Sequence, residues 1–234
     1  MEIAFLGTGS AFSTQRHCSA VLINGTILLD AGAPLLHQLG KLGRRPQDVE
    51  LVLISHYHGD HLFGLPAFLL HRLVGKSEGQ PCTVVGPSPA HPTIQQWANL
   101  SWQNLGPLVS ETVQVTTIKA GEKIEAAGVQ IEAVGVVHAD LIAVGYRLTI
   151  DQITLAYSGD CILGPGLDRL LDGADIAIVE ATGPDPDPVH LSWSQVRSLV
   201  EQHPGTRFFL THIHSGVPDV AGATAAHDLD IFTL

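Results

Sequence analysis

A short apolar run followed at once by a histidine-rich segment is the feature that most restricts how this chain can fold. Residues 51–54 (LVLI) are all aliphatic, as expected of a strand that is buried on both faces of a sheet. The next residues, 55–61 (SHYHGDH), place four metal-ligand side chains within six positions. Neither packing nor solvation explains three histidines and an aspartate at the end of a strand. The pattern therefore predicts a metal site at the carboxyl edge of a buried sheet.

The spacing within this segment has a chemical reason. His56 and His58 are two positions apart, so in extended chain they share a face and can bind one ion. Gly59 permits a sharp turn, after which Asp60 and His61 lie on a different arc of backbone and can bind a second ion. Imidazole together with carboxylate suits Zn²⁺, Mn²⁺ or Fe²⁺.

Three polar residues at later strand ends add to this set. His138 follows the apolar run 134–137, Asp160 follows residues 156–158, and His212 follows residues 208–211. Taken alone, each is better explained as a turn or cap residue. Taken with the first segment, they complete two sites of three or four ligands each, and Asp160 is able to bridge them.

Strand and helix patterns alternate along the whole chain, which predicts an α/β fold. The predicted strands are 2–6, 19–23, 26–30, 51–54, 83–85, 111–118, 122–126, 129–137, 143–150, 153–157, 176–180 and 207–211. The predicted helices are 35–42, about 65–74, 93–105, 166–171 and 192–203. Asn24-Gly25 signals a two-residue hairpin, and Ser192 with Gln195 signals a helix cap. No linker or repeat divides the chain, so we expect a single domain over residues 1–234.

Composition and charge exclude several functional classes. The 45% hydrophobic content suits a large core, and no apolar run has the 18 or more residues that a membrane-spanning helix needs. The first residues do not resemble a secretory signal, and the three cysteines are too few for a disulfide framework, so we expect a cytoplasmic protein. A net charge of −11, with 12 Lys and Arg against 23 Asp and Glu, disfavours long nucleic acids and anionic membranes as partners.

These motifs resemble those of the metallo-β-lactamase superfamily. The matching residues are Asp30 in LLDAG, the segment 55–61, His138, Asp160 and His212, and GTG at 7–9 extends the likeness. The resemblance implies a four-layer αββα sandwich that holds two divalent metals, with zinc expected first and manganese or iron as alternatives. The implied ligands are His56, His58 and His138 for one metal, Asp60, His61 and His212 for the other, and Asp160 between them. Asp30 would orient the turn that carries the first ligands.

Within the superfamily, the chain is most similar to the ribonuclease Z and phosphodiesterase branch. The similar segments are 5–10 (FLGTGS), 55–66 (SHYHGDHLFGLP), 145–148 (GYRL), 180–182 (EAT) and 190–192 (HLS). His190, 22 positions before His212, matches the branch's general acid, and Glu180 matches its acidic partner. By this likeness a hydroxide between the metals would attack phosphorus, and Asp60 would orient or deprotonate the water from which it forms. His190 would then protonate the departing alkoxide.

Two departures from ribonuclease Z narrow the implied substrate. His138 and Asp160 are only 22 positions apart, whereas that family has a long tRNA-gripping insertion there. The basic loop after the first glycine turn is reduced to residues 13–17 (STQRH), with one arginine and no lysine. We therefore expect a phosphodiesterase of small or cyclic nucleotidic diesters, compatible with a homodimer, rather than a tRNA-processing enzyme.

Several alternatives stay open at this point. A ribonuclease Z-type RNA endonuclease uses the same motifs, and a thioester or lactone hydrolase would use the same metals without needing His190. An iron-dependent reductase is disfavoured because such members of the superfamily carry a carboxylate at the position of His58. A mononuclear iron oxygenase of the superfamily keeps histidines there, so this alternative stays open. His214, two positions after His212, is either a further site residue or an ordinary loop histidine.

Overall fold

The computed structural model describes residues 1–75 and 81–234. The strands within these ranges are β1 (Glu2–Gly7), β2 (Ala20–Ile23), β3 (Ile27–Leu29), β4 (Leu51–Leu53), β5 (Thr83–Gly86), β6 (Gln114–Thr117), β7 (Lys123–Ala126), β8 (Val129–Val136), β9 (Ala143–Ile150), β10 (Ile153–Tyr157), β11 (Ile176–Glu180), β12 (Arg207–Thr211), β13 (Ala223–Ala225) and β14 (Ile231–Thr233). The helices are α1 (Leu35–Lys41), α2 (Gly59–Leu62), α3 (Leu65–Val74), α4 (Ala90–Ser101), α5 (Leu105–Thr112), α6 (Pro165–Leu171) and α7 (Trp193–Gln202), with a 3₁₀ turn at Pro46–Asp48.

These elements fall into two compact units. The first unit comprises residues 1–7, 17–118 and 228–234, and the second comprises residues 8–16 and 119–227. Each unit contains one seven-stranded sheet with its own helices. The expectation of a single domain over residues 1–234 stays a prediction.

The sheet of the first unit has the order β14-β1-β2-β3-β4-β5-β6. Strands β2 and β3 form the hairpin expected at Asn24-Gly25, where both central residues have positive φ (51° and 73°), as a type I′ turn requires. Strands β3, β4, β5 and β6 run parallel. The four residues 51–54 are fully buried, as predicted for a strand with both faces covered, and Val52 and Ile54 pack with Phe68 in the core of this unit.

The sheet of the second unit has the order β13-β12-β11-β10-β9-β8-β7. Strands β10, β11, β12 and β13 are parallel, whereas β8, β9 and β10 are antiparallel neighbours. It follows that β8, β10, β11 and β12 all run in one direction. Their carboxyl ends therefore lie at the same edge of this sheet, where residues that follow them can converge.

The predicted cap of the last helix is confirmed. Ser192 accepts a hydrogen bond from the backbone N–H of Gln195, whose side chain in turn accepts from the Ser192 N–H at 2.8 Å. This reciprocal pair fixes the start of α7 directly after His190 and Leu191.

The region around residue 104 differs from its prediction. The helix expected over 93–105 begins earlier, at Ala90, and ends at Ser101, and a second helix, α5, occupies Leu105–Thr112. Trp102 is extended and ends α4, and Asn104, with a φ of 67°, has a left-handed conformation directly before α5. The strand expected from residue 111 therefore begins only at Gln114, because Leu105 and Val109 of α5 are buried in the core of the first unit.

None of the helices in the described ranges combines the length and apolar character that crossing a lipid bilayer requires. The cytoplasmic location and the homodimer stay predictions.

Candidate metal centre

The first unit brings the candidate ligands of residues 55–61 together where β4 ends. His56, Asp60 and His61 are buried, whereas His58 is exposed and is the residue that precedes α2. The centroid of the His56 ring lies 4.8 Å from that of the His58 ring and 4.2 Å from that of the His61 ring. Gly59 starts α2, and a Cβ there would lie 2.1 Å from the exposed Phe63 ring, so any larger residue would have to displace that ring.

Asp30 organises this segment from behind. Its fully buried carboxylate accepts hydrogen bonds from the Ser55 N–H (2.7 Å) and from the Ser55 hydroxyl (2.8 Å). Its Oδ2 atom also lies 2.7 Å from Nδ1 of His61. Because a carboxylate only accepts, Nδ1 of His61 is the donor, and Nε2 presents its lone pair 3.5 Å from Oδ2 of Asp60. This pair of oxygen and nitrogen donors fits a divalent cation.

Replacing Asp30 by asparagine is expected to lower the free energy of unfolding by about 3 kcal/mol. The carboxylate now accepts hydrogen bonds from Ser55 and His61, and an amide NH₂ group would place a second donor against one of these donors. Asparagine tolerates the φ of 55° at this position, so the backbone is not strained by the change. Urea-induced unfolding in the presence of a chelator measures the effect. Asp151→Asn, at an exposed hairpin residue with a φ of 50°, is the control and should stay within about 0.5 kcal/mol of the wild type. An unchanged midpoint for Asp30→Asn would contradict the role of Asp30.

The second unit gathers its ligand candidates at the shared edge of its parallel strands. His138 follows β8, Asp160 follows β10 and His212 follows β12, and all three are buried. The Oδ2 atom of Asp160 lies 3.2 Å from Nε2 of His212 and 3.8 Å from Nε2 of His138. His138 donates from Nδ1 to the carbonyl oxygen of Val189 at 2.9 Å, so its Nε2 lone pair faces the carboxylate. Such a donor set also fits a divalent cation.

Glu180, the last residue of β11, is a fully buried carboxylate surrounded by donors. It accepts hydrogen bonds from the backbone N–H groups of Cys161 (2.6 Å) and Leu191 (3.2 Å) and from the hydroxyl of Thr182 (2.6 Å). Its Oε1 atom also lies 3.2 Å from Nδ1 of His190. The buried negative charge is therefore compensated, and one of its partners is the predicted acid.

His190 lies beside the ligand candidates of its unit. Its ring stacks on that of His212 at a centroid distance of 5.0 Å, and its Nδ1 atom is 3.9 Å from Oδ2 of Asp160. Burial alone lowers the pKa of His190. The hydrogen bond and charge of Glu180, with the charges of Asp160 and Asp187, outweigh burial and raise the pKa from 6.5 to about 9. The Glu180 carboxylate thus holds a proton on the imidazole at this edge of the sheet.

A family model described as a beta-lactamase superfamily domain matches residues 25–213. The chain belongs to this superfamily. The ribonuclease Z of Exiguobacterium sibiricum is 33% identical over 153 residues, which are 63% of this chain and 48% of that protein. The ribonuclease BN of Erwinia tasmaniensis is 28% identical over 215 residues, 86% of this chain and 66% of that protein. The first of these matches spans about half the length of the curated relative.

A solved structure supports the fold assignment of this superfamily member. The structure of human tRNase Z, short form, has a TM-score of 0.79 at 23% identity and covers 100% of this chain and 99% of that one. At this identity the likeness shows the fold alone. The α/β class and the metallo-β-lactamase fold expected from the sequence are thereby confirmed.

Cys161 and His214 also lie near the candidate ligands of the second unit. Cys161 is fully buried in the core of this unit, which indicates a packing role, and burial together with the charges of Glu180 and Asp160 raises the pKa of its thiol. His214 is exposed, and its Nδ1 atom lies 3.4 Å from the Ser10 hydroxyl. Its role in the site stays open.

Sequence reasoning assigned no role to Thr182, although it was part of the EAT segment that carried the resemblance. Its hydroxyl contacts both Glu180 and His212. A side-chain hydroxyl two residues after a buried carboxylate is a weak signal in sequence, because threonine at the end of a strand is common.

Proposed function

We propose that this superfamily member is a metal-dependent phosphodiesterase that acts on small or cyclic nucleotidic phosphodiesters. The observation that carries the proposal is the pair formed by Glu180 and His190 next to Asp160. A histidine held by a buried carboxylate, and adjacent to candidate ligands, is suited to give a proton to a departing alkoxide.

The proposed metal ligands are the seven residues that the resemblance implies, namely His56, His58, Asp60, His61, His138, Asp160 and His212. The proposal is supported by the donor set within each unit and by the family match, which extends over all seven positions. Two divalent ions, with zinc expected first, would supply Lewis acidity and a water of lowered pKa when bound.

The protein's own residues have distinct roles in this proposal. Glu180 accepts from Nδ1 of His190, so the proton for transfer is carried by Nε2 of the same ring. Asp60, buried next to His61, would orient the attacking water in addition to binding metal. A positioned general acid typically contributes about 10²–10⁴ in rate. Asp30 and Val189 each accept a hydrogen bond from Nδ1 of His61 and His138, respectively, and so hold these two rings with Nε2 available to a metal.

An RNA endonuclease is the second candidate, because the relatives compared above are named ribonuclease Z and ribonuclease BN. The charge of the chain favours the first candidate. With 12 Lys and Arg against 23 Asp and Glu, few cations are available to neutralise a run of phosphates.

Hydrolysis of bis-p-nitrophenyl phosphate tests the proposed function. We expect turnover by protein reloaded with Zn²⁺ or Mn²⁺, loss of turnover after removal of metal with a chelator, and recovery when metal is added back. Comparison of cyclic nucleotides with a precursor tRNA then separates the two candidates. Absence of turnover with either metal would reject a phosphodiesterase, and thioesters and lactones would be tested next.

A further inference from the structure

We propose that Thr182 is a positioning residue that links the acid pair to the ligand His212. Its Oγ1 atom lies 2.6 Å from Oε2 of Glu180 and 2.9 Å from Nδ1 of His212. One hydroxyl group therefore contacts both functional parts of the second unit. The names "acid" and "ligand" rest on the proposed function, whereas the contacts do not.

The direction of these two hydrogen bonds follows from the number of protons. A threonine hydroxyl has one hydrogen, and the Glu180 carboxylate can only accept. The hydroxyl also lies 3.2 Å from the carbonyl oxygen of His212, but the charged and closer carboxylate is the stronger acceptor. When the hydroxyl donates to Glu180, Nδ1 of His212 has to donate to the hydroxyl oxygen. Thr182 thus fixes the tautomer in which the lone pair on Nε2 of His212, 3.2 Å from Oδ2 of Asp160, is available to a cation.

The backbone holds Thr182 in place from two sides. Its N–H donates to the carbonyl oxygen of Leu191 at 3.1 Å, and its carbonyl oxygen accepts from the N–H of His214 at 2.9 Å. The segment that carries His190 and the segment that carries His212 are therefore both tied to this residue. His212 itself has a φ of 54°, a conformation that residues other than glycine rarely adopt, so its orientation depends on such contacts.

Loss of the Thr182 hydroxyl should affect both the orientation of His212 and the pair formed by Glu180 and His190. Without the acceptor oxygen, the imidazole of His212 is free to adopt the other tautomer, in which Nε2 carries hydrogen and binds metal poorly. Without the hydroxyl donor, the Glu180 carboxylate accepts one hydrogen bond fewer, and its hydrogen bond with Nδ1 of His190 changes in geometry and strength. A purely structural role would affect stability and leave metal affinity unchanged.

The test uses the whole chain and two variants of Thr182. Thr182→Val has the same shape without the hydroxyl, whereas Thr182→Ser keeps the hydroxyl without the methyl group. Zinc affinity, measured by competition with a chelating dye, is expected to fall about 10- to 100-fold in Thr182→Val and to stay within about threefold in Thr182→Ser. Circular dichroism confirms that both variants fold.

Thr211→Val is the control, because Thr211 directly precedes His212 and its side chain is buried, whereas that of Thr182 is half-buried. Its hydroxyl makes no hydrogen bond to any of the residues in ranges 1–75 and 81–234. This variant is expected to keep the zinc affinity of the wild type, within about threefold. The same substitution at a second threonine near His212 thus separates the contacts of the Thr182 hydroxyl from a general effect on packing.

Three results would overturn the proposal: unchanged zinc affinity in Thr182→Val, an equal loss in Thr182→Ser, or an equal loss in Thr211→Val. Diester turnover is measured in parallel. If the wild type hydrolyses no diester but the zinc affinities follow the expected pattern, the proposed function fails and the positioning role stands.

Discussion

Asp160→Ala is expected to abolish phosphodiester hydrolysis and to reduce the amount of metal bound. Asp160 is buried, and its Oδ2 atom lies 3.2 Å from Nε2 of His212 and 3.8 Å from Nε2 of His138. In the proposed site this carboxylate would be a metal ligand, so its removal would weaken metal binding and, with it, the Lewis acidity that the metals would supply. Metal content by elemental analysis, together with the rate on bis-p-nitrophenyl phosphate, measures both effects.

Asp185→Ala is the control for this variant. Asp185 lies exposed in the loop that follows Glu180, so its loss should leave rate and metal content unchanged. Circular dichroism would confirm that Asp160→Ala folds. If Asp160→Ala kept the full rate and both metals, the two-metal proposal would be wrong.

His190→Ala is expected to lower the rate on a cyclic nucleotide by at least about a hundredfold, while metal content stays at the wild-type level. An alkoxide is a poor leaving group and needs the proton of His190, whereas p-nitrophenolate leaves readily without one. The loss should therefore be smaller with bis-p-nitrophenyl phosphate. This dependence on the leaving group distinguishes an acid from a residue that supports the site by packing.

His91→Ala is the matched control for the loss of an imidazole. His91 is exposed on α4 in the first unit, and alanine is a better helix former than histidine. No change in rate is expected there. Equal losses on both substrates for His190→Ala would argue against its role as the acid, and retention of the full rate would favour a thioester or lactone hydrolase.

Features determined by neighbouring residues were predictable from the sequence. The hairpin at Asn24-Gly25 follows from the positive φ angles that these two residues tolerate. The helix that begins after Ser192 follows from the reciprocal bonds of Ser192 with Gln195. The strand over 51–54 follows from a run of aliphatic residues. In each case the cause lies within a few positions of the effect.

Elements that depend on distant partners were not predictable. Strand β14 exists because it pairs with β1, where Glu2 lies opposite Thr233. Strand β13 likewise pairs with β12. These three-residue strands carry almost no pattern of their own, so only the partner's open edge makes them strands. The break between α4 and α5 depends on a left-handed Asn104, which local propensity does not reveal.

The sequence by itself determined which chemical groups are available, because the candidate ligand residues directly follow runs of apolar residues that form buried strands. The tertiary structure decided how these groups are held. Glu180 with His190, Thr182 with His212, and His138 with Val189 are separated by 10, 30 and 51 positions. The loop between β11 and α7 brings His190 back to Glu180, whereas the other two hydrogen bonds arise only because β8, β11 and β12 place their carboxyl ends at one edge of a sheet. The spatial order of those strands is set by packing of the whole unit and not by any local segment.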